Sequence, residues 1–351
     1  MKPLFKCKID YIKSPHLSQI YVGFELLKKY GFLEYSLNNS RFDKQATKPV
    51  LRVTLNQKYT VIFDTLDGLN WIEGTIDENL NHFRNNLNAD FYFKRSYCKL
   101  VKDFAPNNCK VYPLGLNYHI GDRIQAKDIK ETIKDIIGNN SLLRTLFKVN
   151  KNNFNVESYE YFPIPQDDAK ILFLTRLWNP DDVDLQHLKD ERARINKNRI
   201  NCILACRKEF KENFMGGIQK DNYSSKFDKE LLAPFALTNK GSFLNGIKDH
   251  NICIATIGLH NSIGWKFGEY VAASRAIITE PIVYELPGCF DENRNYLTFR
   301  NEKQLIYQIR YLMSDKHKLF EIMNNNFLYY NNYLRPDRLV MNALLSVYRE
   351  I

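Results

Sequence analysis

The residues from Gly258 to Glu269 combine a loop, a cation and a carboxylate at a spacing that could hold an anion beside a hydroxyl-rich group. Gly258 to Gly264 supplies two glycines, an Asn and a Ser. From Ile263 the side chains at Ile263, Phe267, Val271 and Ser274 recur about four apart, the stripe of an amphipathic helix. Ser262 is the expected N-cap of that helix, and Arg275 is expected to end it just before the next strand. A loop that ends at a helix N-terminus presents unpaired backbone N–H groups and positive dipole, so Asn261, Ser262 and Gly264 are candidate anion-binding positions. Lys266 falls in the first helical turn, where its ammonium suits a phosphate. Glu269 falls one turn further, where its carboxylate suits a ribose hydroxyl. The combination points to a nucleotide diphosphate.

These residues need strands to position them, and the sequence supplies two. Asn251 to Ile257 is a short apolar run rich in β-branched residues, suited to a buried parallel strand. Ala276 to Val283 is the strand expected after the helix. The clearest strand in the chain is Ala169 to Leu177, AKILFLTRL, preceded by Gln166-Asp167-Asp168, where a domain boundary is expected. It carries Arg176 at its C-terminal end, the end that faces the ligand crevice of α/β sheets, and a planar guanidinium fits phosphate oxygens. The N-terminal half shows strands at Leu4 to Ile9, Val50 to Thr54, Thr60 to Phe63, Asp90 to Lys94 and Lys110 to Leu114, with a helix from Leu17 to Tyr30. Strands separated by helices at this spacing predict βαβ units and a mostly parallel sheet in each half. Asn139 to Glu160, polar and Asn-rich, with Pro163 and Pro165 beyond it, predicts an irregular approach to a linker.

A chain of 351 residues exceeds the usual size of a single core, and 44% hydrophobic with 13% aromatic residues suffices for two. The seven cysteines, at 7, 98, 109, 202, 206, 253 and 289, form no CxxC pair and no ligand-spaced set, the pattern of reduced thiols in a cytoplasmic protein. No signal peptide or membrane-spanning run is expected. The net charge of +10 would suit nucleic acid, an anionic membrane surface or an anionic small substrate. No nucleic-acid-binding module is recognisable. The densest basic stretch, Arg192, Arg194, Lys197 and Arg199 followed by Arg207, Lys208 and Lys211, is interleaved with acids, which predicts a solvated, salt-bridged helix face.

The segment Gly264-Trp-Lys-Phe-Gly-Glu269-Tyr-Val-Ala-Ala-Ser-Arg-Ala-Ile-Ile278 resembles the donor-binding domain of glycosyl transferases group 1. The resemblance implies two Rossmann-like α/β domains facing each other across a cleft, the GT-B architecture. Thr175-Arg176-Leu177 is similar to the group's strand ending Gly-Arg-Leu, which implies that Arg176 contacts the donor diphosphate. Glu269 matches the second of two glutamates that stand eight apart in retaining members. The first is replaced here by Asn261, so the stereochemistry stays open. The group's Lys after the strand is replaced by Asp181, a charge that Lys266 can restore. Asp182-Val-Asp184 matches the metal-holding DxD of the other large glycosyltransferase fold. Acidic residues before a long helix are better explained as capping, and neither a metal nor a cofactor beyond the donor is expected.

On the acceptor side three features could line a site. They are His16 in Ser14-Pro15-His16, Asp64 and Asp67 after a strand, and Lys94-Arg95 after another. Asp64 or His16 could serve as general base. A helix cap, an Asx turn before Gly68 and plain solvation explain the three equally well. His260, in the loop beside the proposed phosphate site, is expected to contact the donor sugar. The expected domains are residues 1–165 for the acceptor, 166–335 for the nucleotide sugar, and 336–351 as a helix packing back on the first. The resemblance implies transfer from a nucleotide-diphosphate sugar to a glycan or lipid-linked acceptor in bacterial surface polysaccharide or lipopolysaccharide assembly, with peripheral contact to an anionic inner membrane. A nucleotide-sugar epimerase on the same scaffold and a non-catalytic nucleotide- or glycan-binding subunit are the competing classes.

Overall fold

The computed structural model describes residues 3–38, 48–121, 154–234, 237 and 239–351. The stretch read as an approach to a linker lies outside the described residues up to position 153. The chain divides into two compact units, one made of Met1–Ser158 with Asn332–Ile351 and the other of Tyr159–Asn331. Both are mixed α/β, each built on its own sheet.

The first unit carries strands β1 (Phe5–Asp10), β2 (Leu33–Asn38), β3 (Val50–Leu55), β4 (Tyr59–Asp64), β5 (Phe91–Lys94) and β6 (Lys110–Pro113), in the order β2-β1-β3-β4-β5-β6. Its helices are α1 (Ser18–Lys29), α2 (Ile76–Asn86) and α3 (Lys99–Asp103). The sheet is mostly parallel, as expected: β1, β2, β4, β5 and β6 run in one direction, and β3 alone is antiparallel to its neighbours β1 and β4. Only Asn56, Gln57 and Lys58 separate β3 from β4, too few for a parallel crossover. Asn56 and Gln57 turn the hairpin with φ of 50° and 59°. β2 and α2 were not foreseen, although Thr75 and Glu78 form a complete capping box at the start of α2. The last helix of the chain, Pro336–Tyr348, belongs to this unit. Its Leu339, Val340, Ala343, Leu344 and Val347 share one core with Phe5, Ile9, Tyr21 and Phe24. It approaches α1 so closely that a Cβ on Gly23 would lie 2.3 Å from the Pro336 carbonyl oxygen.

The second unit holds five parallel strands, β7 (Ile171–Thr175), β8 (Phe214–Ile218), β9 (Ile252–Ala255), β10 (Ala276–Thr279) and β11 (Tyr296–Thr298). Their order is β11-β10-β9-β7-β8, so the chain reverses direction across the sheet between β7 and β9. In a doubly wound sheet the ligand crevice lies outside the carboxyl ends of the strands at such a reversal. Helices α4 (Gln186–Phe210), α5 (Lys240–Lys248), α6 (Trp265–Ala272), α7 (Glu302–Ser314) and α8 (Lys316–Tyr329) complete the unit, and its core joins Ile171, Phe173, Ile254 and Ile278 to Cys202, Ile203 and Cys206 of α4.

Three local expectations are corrected. The N-cap of α6 is Gly264, not Ser262, and no side chain caps this end. The helix stops at Ala272 and not at Arg275, because Ser274 adopts φ 58° and the Arg275 N–H returns to the Tyr270 carbonyl in a Schellman-type turn. Arg275 is fully buried instead, donating to the carbonyls of Ala273 at 2.7 Å and Phe162 at 2.6 Å. β10 ends at Thr279 rather than Val283, since Pro281 has no N–H to extend the ladder.

Candidate functional site

At the carboxyl ends of β7 and β8 the second unit contains a cavity of about 300 Å³. It lies within the size range of small-molecule sites. Thr175 and Leu174 come from β7, Gln219 follows β8, Lys240 and Phe243 open α5, and Trp265, Lys266 and Glu269 open α6. The wall beyond β8 is brought in by a close crossing: the Ala233 N–H bonds the Ile218 carbonyl at 2.8 Å. A Cβ on Gly217 would stand 2.6 Å from the Ala233 nitrogen, so a side chain there would push this wall away.

Glu269 is the most informative group. It is 2% exposed, its Oε1 is paired with the Lys240 ammonium, and its Oε2 has no hydrogen-bond partner among the described residues. A buried carboxylate oxygen without a donor is unfavourable by about 1–3 kcal/mol or more, and such an atom on a side chain that lines a cavity marks a place where a ligand can donate. Lys266 lies one helical turn earlier on α6. Its ammonium is pushed down to about 8, first by burial and then by the positive charges of Arg199, Lys240 and Arg176, against the pull of Glu269. The cavity therefore concentrates more positive charge than it neutralises, which suits an anion such as a diphosphate.

Arg176 follows the last residue of β7 and is exposed, with its guanidinium 3.8 Å from the centroid of the Trp178 ring. Beneath it lies Arg199, which was read as part of a solvated helix face and is instead buried. Arg199 donates Nη1 to the Arg176 carbonyl at 2.7 Å, Nε to Thr256 Oγ1 at 3.0 Å and Nη2 to the Ile257 carbonyl at 3.2 Å. Burial lowers its pKa to about 10, opposed by Glu280, whose Oε2 accepts from the Ile257 N–H at 3.0 Å. One arginine thus ties the carboxyl end of β7 to that of β9 across the chain reversal. The sequence held a signal for it: Arg199 stands in phase with Ile195, Cys202, Ile203 and Cys206, the buried stripe of α4.

The loop from Gly258 to Gly264 closes on itself, with Gly258 N–H to the Ser262 carbonyl at 2.8 Å and Ser262 N–H to the Leu259 carbonyl at 3.1 Å. His260 and Asn261 are both left-handed, with φ of 56° and 55°. Non-glycine residues in this region are strained by about 1–2 kcal/mol each. The turn is held from outside by Glu191, which accepts from the His260 N–H at 2.8 Å, and by Tyr284, whose hydroxyl donates to the His260 carbonyl at 2.8 Å. Of the residues expected to bind the donor, Lys266 and Glu269 line the cavity and Arg176 adjoins it through Thr175. His260, Asn261, Ser262 and Gly264 are not among its lining residues. Lys240 was not foreseen.

The first unit holds a different arrangement at the ends of β4 and β5. Asp64 and Lys94 are both fully buried and 3.1 Å apart. Asp64 also accepts from the Trp71 indole N–H at 2.8 Å, the Leu66 N–H at 2.7 Å and the Tyr92 hydroxyl. Burial pushes the Lys94 ammonium down and the Tyr92 hydroxyl well up. Arg95, buried as well, pairs with Asp67 at 2.5 Å. Lys94-Arg95 is therefore neither solvated nor presented to a ligand as two free cations. His16 sits in a short turn that Ser14 caps by accepting its N–H at 3.3 Å. Burial holds its imidazole below the usual value, with Asp67 opposing.

Asp182 lies in a turn capped by Asn179, 3.7 Å from Arg192. Among the described residues no group of three or more His, Cys, Asp or Glu is placed to hold a metal ion, and no helix is long and apolar enough to cross a membrane.

No family model and no curated protein sequence matches the chain. Among solved structures it is similar to HepE of Anabaena in complex with UDP-glucose, at 12% identity and a TM-score of 0.41 over 78% of this chain and 68% of that one. WaaG, a glycosyltransferase involved in lipopolysaccharide biosynthesis, matches at 9% identity and a TM-score of 0.39 over 74% of this chain and 75% of that one. The C-terminal domain of LpcC, a glycosyl transferase group 1 family protein from Francisella tularensis, matches at 12% identity and a TM-score of 0.35 over 50% of this chain and 95% of that one. At scores this low the likeness carries no argument about activity. The chain's own strand order and cavity carry the functional reading.

Proposed function

We propose that this chain is a glycosyltransferase whose second unit binds a nucleotide-diphosphate sugar and whose first unit binds a glycan or lipid-linked acceptor. The observation that supports the reading most is the buried Glu269 carboxylate, with one oxygen lacking a donor, beside two lysines at the chain reversal of a doubly wound sheet. In this reading the free oxygen accepts from a ribose hydroxyl. Arg176, Lys266 and the uncapped N-terminus of α6 stabilise the diphosphate as the glycosidic bond breaks and negative charge builds on the leaving oxygen. Side-chain cations supply that charge in place of a divalent metal.

His16 is the better candidate for general base in the first unit. Its lowered pKa keeps it neutral at pH 7, the form that can take a proton, whereas every contact around Asp64 would have to be broken to free that carboxylate. The setting proposed is surface polysaccharide or lipopolysaccharide assembly at the cytoplasmic side of an anionic inner membrane, which the net charge of +10 suits.

Titration with UDP, GDP, ADP and CDP, and with their sugar conjugates, tests the site. At least one nucleotide should bind, and Glu269→Gln should weaken it about tenfold while the melting temperature changes little. Sugar release that needs an acceptor marks a transferase. Turnover without an acceptor would show an epimerase, and binding without turnover a binding subunit. A variant that melts early and binds as before would make Glu269 structural.

A further inference from the structure

The two oxygens of Glu269 are not equivalent. Oε1 is occupied by the Lys240 ammonium, whereas Oε2 is buried without a donor among the described residues, on a side chain that lines the cavity. Lys240 is not a loosely tethered cation. Its side chain is 26% exposed, and its ammonium lies 5.2 Å from the Tyr159 ring centroid and 5.4 Å from that of Phe243. Its backbone is rooted at the first position of α5, whose N-cap Asn239 accepts from the Ser242 N–H at 2.9 Å. Lys266, three residues before Glu269 on the same helix, makes no ion pair with it within 4.0 Å. The two lysines thus divide their work: one is committed to the carboxylate, and the other is left to a ligand anion.

An unoccupied carboxylate offers both oxygens to two adjacent hydroxyls, one bond to each. With an ammonium seated on Oε1, that oxygen is partly used and its outer approach is screened, so the remaining charge is presented through Oε2. We propose that Lys240 is a positioning residue that sets specificity: it makes Glu269 a one-sided acceptor, so that of two vicinal ligand hydroxyls one is read strongly and its neighbour weakly. The proposal rests on the reading that a ribonucleoside diphosphate occupies this cavity, and it specifies how that ligand is recognised.

The test uses whichever of UDP, GDP, ADP and CDP binds tightest, together with its 2′-deoxy and 3′-deoxy forms, by calorimetry on the full chain. In the wild type one deoxy form should lose about tenfold in affinity and the other less than about twofold. In Lys240→Met the two losses should converge to within about threefold, because both oxygens become available. Lys240→Arg should restore the inequality. Equal losses in the wild type would overturn the proposal and need no variant. An inequality that survives Lys240→Met in a protein with an unchanged melting curve would overturn it as well. Failure of all four diphosphates to bind would instead remove the functional reading beneath it.

Discussion

Each unit buries a carboxylate at the carboxyl end of its sheet, and the two are treated in opposite ways. Asp64 is surrounded by Lys94, Trp71, Tyr92 and a backbone N–H, so its capacity is met from within the unit. Glu269 is nearly as buried and has one oxygen left over. Burial and charge are common to both, and only the completeness of the hydrogen bonding separates them. A satisfied buried network rigidifies its surroundings, whereas an unsatisfied one stores a demand that a ligand can meet.

The largest expected effect tests the satisfied side. Asp64→Asn leaves Lys94 buried without its counter-ion and should lower stability by about 3–5 kcal/mol in urea unfolding. A loss below about 1 kcal/mol would mean that Asp64 is not what holds this region. On the other side, Arg176→Ala and Lys266→Ala should each weaken nucleotide diphosphate binding by about 1.5–3 kcal/mol and leave unfolding nearly unchanged. Unchanged affinity in both would put the anion elsewhere.

The Lys266 pKa, lowered to about 8, adds a pair of opposite pH trends. The ammonium is present below about pH 8 and lost above it, so diphosphate affinity should fall from pH 7 to 9, and Lys266→Ala should flatten that fall. Without ligand, the folded state releases this proton at lower pH than the unfolded state. Stability should therefore gain from Lys266 as pH rises between about 8 and the ordinary lysine value of 10.5. Parallel trends in binding and stability would rule out Lys266 as the source. The smallest effect belongs to Asp182→Ala, expected within about 0.5 kcal/mol of wild type and without influence on nucleotide binding. Affinity that depended on both Asp182 and added Mg²⁺ would show a chelating role after all.

The helix with Lys266 and Glu269 was legible in the sequence because strand, glycine loop and helical stripe follow one another within a short span, where local spacing is enough. Arg176 was legible for the same reason, at the end of an unbroken apolar strand. Lys240 was not, since its meaning depends on a partner 29 positions away that only the sheet order brings near. The Asp64–Lys94 pair was hidden likewise, because a charge at a strand end looks solvated until its partner from the neighbouring strand is known. Arg199 was misread for a different reason: it closes the basic run Arg192, Arg194 and Lys197, and that composition outweighed the phase it shares with the apolar stripe. The mostly parallel first sheet was legible from its helix-spaced strands, and only the reversal of β3, set by the three-residue turn before β4, was not.

The helix Pro336–Tyr348 has a consequence for the order in which the protein is made. Its five core residues complete the interior around β1 and α1, yet they leave a ribosome only after the whole of the second unit. The second unit is a continuous stretch, Tyr159–Asn331, and can close its core while synthesis is still under way. The first unit therefore cannot complete its core until the second has been synthesised. Until this helix emerges, Phe5, Phe24 and their neighbours lack their cover, and a nascent chain stalled before Pro336 would display them to chaperones.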